Sequence, residues 1–196
     1  MKKLIYCFLS IVLFAGCVQN NKQLKREEPA ELKLKCYIDS FLDSNKDCFD
    51  NDIKKEEAAK FLAVDFVAKC LGDSIPYISE LPVKFEMLLP YENEDKYVIK
   101  FAYSELSNNF YISKEYKVTF QVFSIVDKET ASKLKENALY YISGACYDYA
   151  NRKSFTLPSG KYFEGYPSIS KWEDKPEVNL GTIIVQNISF KEIPNK

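Results

Sequence analysis

The chain contains no histidine, and only one tryptophan, two methionines and six glycines among its 196 residues. The missing histidine removes the side chain whose ordinary pKa lies nearest neutrality. With it go Ser-His-Asp and Cys-His nucleophiles, imidazole-ligated zinc and the commonest general base. Enzymatic readings are left with carboxylates or with Ser and Lys, and 28 acidic residues are so many that spacing alone nominates no catalytic pair. Charge of one sign is also lacking. The 27 basic and 28 acidic residues interleave, whereas a polyanion-binding protein draws its affinity from clustered Lys and Arg, so nucleic acid is not an expected partner. No apolar run reaches the ~20 residues of a transmembrane helix, and no cofactor is implied.

What is present begins at the N-terminus. Lys2 and Lys3 precede an apolar run from Leu4 to Gly16, followed by Cys17. Two cations, a short apolar core and small residues before a cleavage point are the features of an export signal, assigned to residues 1–16. Phe14-Ala15-Gly16-Cys17 resembles the lipobox of bacterial lipoproteins, with phenylalanine where leucine is commoner. The resemblance implies that Cys17 receives a diacylglyceryl group and becomes the first residue of the mature protein. The chain would then be anchored to a membrane of the bacterial cell envelope, on its periplasmic or surface face.

Removing the signal leaves residues 17–196, enough for one domain with its own core, carrying 25 basic and 28 acidic residues. From Val18 to about Lys35 the composition of Asn, Gln, Lys and Glu with Pro29 predicts a tether, with a frayed helix from Ala30 through Leu42 as the alternative for its far end. The single globular domain is expected over 36–196. Asp52 is positioned to cap a helix from about Ile53 to Leu71, where Ala58, Leu62 and Phe66 form one row of an amphipathic face. After Pro76 the apolar period changes from 3.6 to 2. Val83 to Leu89, Tyr97 to Ser104, Tyr116 to Val126 and Leu139 to Tyr149 read as strands, and a short helix opened by Asp127 or Lys128 separates the last two. Gly144 inside the fourth strand predicts a bulge or bend. Asn151 to Asn179 reads as a long irregular stretch, or one hiding a hairpin, before a fifth strand over about Gly181 to Ile193.

This order predicts an α+β fold, an N-terminal amphipathic helix packed on a five-stranded antiparallel sheet or small barrel. It resembles the OB fold, whose helix lies between its third and fourth strands, over about Leu81 to Ile193. A cystatin-like or NTF2-like sheet is the alternative.

Candidate sites are few. Cys36, Cys48, Cys70 and Cys146 permit two disulfides in an exported chain, in any of three connectivities. Cys36 with Cys48 closes the shortest loop and leaves Cys70 with Cys146; alternatively Cys70 and Cys146 are small buried apolar residues. Asp43, Asn45 and Asp47 match the opening of a calcium loop. Cys48 stands where that loop needs glycine and Lys54 where it needs a bidentate carboxylate, so an acidic helix-capping turn competes with a metal site. The long stretch holds Tyr162, Phe163, Tyr166 and Trp172 among Lys and Arg, a composition suited to sugars, peptides or single strands as ligands. The competing reading is that these rings pack the stretch onto the fold.

The expectation drawn from all of this is a non-enzymatic, lipid-anchored protein that binds an envelope glycan or protein. A carboxylate-dependent envelope or glycan hydrolase is the alternative, and a purely architectural role the third.

Overall fold

The computed structural model describes residues 30–72, 78–91, 95–104, 115–149, 155–156, 162–163, 165 and 167–194. The signal segment, Cys17 and Tyr166 lie outside the described residues, as do the side chains of Tyr162 and Phe163. The elements are α1 (Ala30–Ser44), α2 (Asp52–Gly72), β1 (Leu81–Tyr91), β2 (Lys96–Ser104), β3 (Lys117–Asp127), α3 (Lys128–Ala131), β4 (Leu139–Tyr149), β5 (Phe155–Thr156), β6 (Tyr162–Phe163), β7 (Ser168–Trp172) and β8 (Lys175–Glu192). The fold is α+β. No helix among the described residues is long and apolar enough to cross a membrane.

The expected tether ends earlier than Lys35, because α1 begins at Ala30. Leu34, Ile38 and Phe41 recur at helical spacing and are all buried, which gives this polar stretch an apolar face after all. Two hydrogen bonds hold its far side: Lys35 donates to Asp39 at 2.6 Å, and Tyr116, just before β3, donates to the same carboxylate at 2.7 Å. Partial burial pushes the Asp39 carboxyl upward, but these two donors outweigh it and hold the group below its ordinary range.

α1 turns back through residues 45–51 into α2. The rings of Tyr37 and Phe66 are 5.5 Å apart and those of Phe41 and Phe61 6.4 Å apart, so the two helices run antiparallel. The cap of α2 is Asn51 rather than Asp52: Asn51 Oδ1 accepts from the Lys54 backbone N–H at 3.0 Å, and Asp52 is the first helical residue. Ala58, Leu62, Phe66 and Cys70 line the buried face, and α2 lies against β4, β7 and β8.

The main sheet has six strands in the order β3-β2-β1-β4-β8-β7, one more than expected, and β3 also pairs with β8. That last pairing is parallel and all others are antiparallel. It joins strands from distant places in the order, so the sheet curls back on itself. Phe101, Val118, Val122, Tyr140, Ile142, Leu180 and Ile183 share one core with the helices. Asp127 caps α3 by accepting from the Thr130 N–H at 2.6 Å, and Asn137 takes the left-handed conformation (φ 60°) before β4. At Gly144 the β4–β8 register shifts, as a bulge requires. A Cβ at Gly144 would overlap the Val185 side chain.

The stretch after Asn151 is not irregular throughout. It carries the small β5–β6 pair and a hairpin of β7 with β8, and β8 begins at Lys175, six residues ahead of the expected Gly181. The hairpin turns on Glu173 (φ 47°) and Asp174 (φ 66°), both left-handed.

Candidate ligand-binding site

The β7–β8 hairpin organises a polar patch of the described surface. Register places Lys117 of β3 beside Glu177 of β8, and Glu177 beside Ser170 of β7. The side chains complete that row: Lys117 Nζ meets Glu177 Oε1 at 2.8 Å, and Ser170 Oγ donates to Glu177 Oε2 at 2.8 Å. The Lys117 hydrogen bond is the largest influence on Glu177 and holds its carboxyl below the ordinary range, against a smaller upward push from burial. The Lys117 ammonium also lies 4.4 Å from the centroid of the Trp172 ring, a cation–π contact. Trp172 nevertheless stays 44% exposed. The ring is therefore held by a fixed charge and still reachable from solvent.

Beside it a cleft of about 480 Å³ opens between β7 and the start of α2, lined by Phe49, Asp50, Asn51, Asp52, Lys55, Ser170 and Lys171. Lys171 Nζ stands 5.6 Å from the centroid of the Phe49 ring. Lys55 pairs with Asp52 at 2.7 Å, and this partner holds the Asp52 carboxyl below its ordinary range. The cleft thus offers two ammonium donors, two carboxylate acceptors, a hydroxyl and an amide, with an aromatic ring on its wall. Such a set can hydrogen-bond a polyhydroxylated or amide-rich ligand without chemical change to it.

The residues nominated by sequence fare differently. Trp172 is at the rim strand of this cleft. Tyr162 and Phe163 form β6, which pairs with β5 in a separate two-stranded sheet. Asp43, Asn45 and Asp47 do not turn their oxygens toward one point. Asp43 pairs with Lys46 at 3.6 Å, the Asn45 amide donates to the Phe41 carbonyl at 2.8 Å, and Asp47 accepts from Lys54 at 2.6 Å. Lys54 also reaches Asp50 at 3.3 Å, so the lysine in the twelfth position neutralises the turn that a cation would have needed. Among the described residues no three His, Cys, Asp or Glu side chains gather as a metal site.

No disulfide joins Cys36, Cys48, Cys70 or Cys146. Cys36 is exposed on α1 while Cys48 is buried, so the shortest-loop pairing would join a solvent-facing thiol to one that faces the core. Cys70 is a core residue and Cys146 packs partly buried against the same cluster.

Sequence reasoning missed Ser170, Lys171 and the 49–52 turn as one site. Neither spacing nor motif connects them; only the docking of α2 on the hairpin does. Comparison with protein-family models, with curated proteins and with solved structures returns no match to this chain.

Proposed function

We propose that this protein is a lipid-anchored, non-enzymatic binding protein of the bacterial cell envelope, and that its ligand is an envelope glycan held at Trp172 and the adjoining cleft. The body is an OB-like barrel of β3-β2-β1-β4-β8, with β7 added at its edge. Three features favour that barrel over a cystatin-like or NTF2-like sheet: the parallel β3–β8 pairing, the helix between β3 and β4, and the antiparallel β1–β4 pairing. The export signal and Cys17 support the placement, since two or three acyl chains hold a protein on a membrane where a single chain does so only marginally.

Trp172 carries the ligand reading. It is the only tryptophan of the chain and stays half-exposed although Lys117 fixes its ring. An indole face beside ammonium, carboxylate and hydroxyl groups is suited to stack on a sugar ring while its hydroxyls are hydrogen-bonded.

The test is retention of envelope glycan fragments by the immobilised full chain. Trp172→Ala is expected to weaken retention about tenfold, the scale of one aromatic contact of ~1.4 kcal/mol, with the melting midpoint lowered only by about 2–4 °C through loss of the Lys117 contact. Equal retention by both proteins would remove the glycan site. Mass spectrometry of the purified protein checks the anchor: a mature N-terminus at Cys17 carrying lipid is expected, and an intact Met1 denies it.

A further inference from the structure

The outward side of α2 is unusual for a helix that already buries one face. Ile53, Phe61, Val64 and Leu71 are 72%, 55%, 73% and 46% exposed. At about 100° per residue, Ile53, Val64 and Leu71 fall within about 20° of one another round the helix, and Phe61 lies about 60° from Val64. Ala58, Leu62 and Phe66 occupy the opposite side, in the core. From Lys60 onward the outer stripe holds Phe61, Val64, Ala68 and Leu71 and no acidic residue, with Lys60 at one border; Glu57 lies within the same arc one turn earlier, and Asp65 stands about 40° beyond Phe61.

We infer that this stripe lies against the lipid surface to which the chain is anchored. The inference rests on the reading of Cys17 as the lipid anchor. Its geometry follows from the antiparallel pairing of the helices: Tyr37 meets Phe66 and Phe41 meets Phe61, so the start of α1 at Ala30 comes level with the last turn of α2. The chain arriving from Cys17 therefore enters at the acid-free end of the stripe. Thirteen residue steps separate Cys17 from Ala30, which limits that end to about 45 Å from the anchored residue. Four partly exposed apolar side chains bind a free bilayer poorly, but the tether makes the contact intramolecular and raises the effective lipid concentration. The long stem of Lys60 can lie along the apolar surface with its ammonium group, which pairs with Glu56 at 2.9 Å, at the headgroup level.

The experiment places the photo-crosslinking residue p-benzoylphenylalanine at Val64 of the full chain, expressed in a bacterium with its own export signal. The same residue at Ile125, an apolar position 47% exposed on β3, is the control. Irradiated membranes are expected to give phospholipid adducts at position 64, about tenfold more than at position 125. Adducts to a second copy or to another protein at position 64 overturn the proposal, and so do equal lipid yields at the two positions. Acyl analysis of Cys17 in the same sample separates the two readings. A lipidated Cys17 without lipid adducts at position 64 sinks the stripe alone, and an unmodified Cys17 sinks both.

Discussion

Lys117 stands over the ring of Trp172, 4.4 Å from its centroid, while its ammonium meets Glu177 at 2.8 Å. One cation thus joins three strands, and it is largely buried, with 16% of its side chain exposed. Lys117→Met keeps the apolar stem and removes the charge. It is expected to cost about 1 kcal/mol, lowering the melting midpoint by about 2–4 °C. It is also expected to make the single tryptophan more accessible to acrylamide, read as steeper fluorescence quenching. Unchanged quenching would mean that the ring is held by something other than Lys117.

Glu177 links that contact to acid stability. Its carboxyl is held below its ordinary 4.5, so the folded state binds fewer protons there than the unfolded state. The resulting stabilisation is fully present above about pH 4.5 and is lost as pH falls through the lower folded value. Urea midpoints measured between pH 3 and pH 7 should therefore drop at the acid end, and Glu177→Gln should flatten that part of the curve. An acid limb of the same steepness in the variant would assign it to other carboxylates, Asp39 first among them.

Gly144 leaves no room for a methyl group. A Cβ there would overlap the Val185 side chain and approach the Gln186 carbonyl oxygen at 3.0 Å, and Val185 belongs to the core. Gly144→Ala is expected to destabilise by about 1–3 kcal/mol, the usual cost of overpacking. Denaturant titration of the variant checks this. A loss below about 0.5 kcal/mol would show that β8 can shift to make room.

The thiols should differ in reactivity. Cys36 is exposed, whereas Cys48 is buried and its pKa is pushed up by burial first and by the Asp47 charge second. Less thiolate and less access both slow attack. An aromatic disulfide reagent on the native protein should modify Cys36 at least about tenfold faster than Cys48, as peptide mapping over time would read. A mass two hydrogen atoms short, with the Cys36 and Cys48 peptides recovered joined before reduction, would instead establish a Cys36–Cys48 bridge.

The strands of the first half of the sheet were legible because their alternation is uninterrupted. Leu139 to Tyr149 matches β4 residue for residue, and Tyr116 to Val126 lies one residue from β3. β8 was read six residues short for a definite reason. Val178 and Leu180 are buried on one parity and Ile183 and Val185 on the other. The left-handed Gly181, with φ of 81°, takes up the extra residue between the two parities. A period-2 reading breaks at such a bulge. The β7–β8 hairpin escaped notice because its two left-handed turn positions are Glu173 and Asp174, whereas the recognisable signals are Asn-Gly and Asp-Gly. The first turns of α1, up to Lys35, were read as tether, with a helix from Ala30 through Leu42 as the alternative, because Lys33 and Lys35 flank Leu34 and the polar composition masked its spacing to Ile38 and Phe41.

What the amino-acid order determined by itself is local: the alternation of four strands, the cap at Asp127, the break at Gly144, and chemistry conducted without imidazole. These depend on a residue's own dihedral preferences and on neighbours a few positions away. The tertiary structure alone decided that β3 runs beside β8, which sets Lys117 on Glu177 and under Trp172, and that the turn at 49–52 meets Ser170 and Lys171. Those contacts join segments some 60 to 120 residues apart. Their formation depends on which surfaces can be buried together, a property of the whole chain that no window of sequence contains.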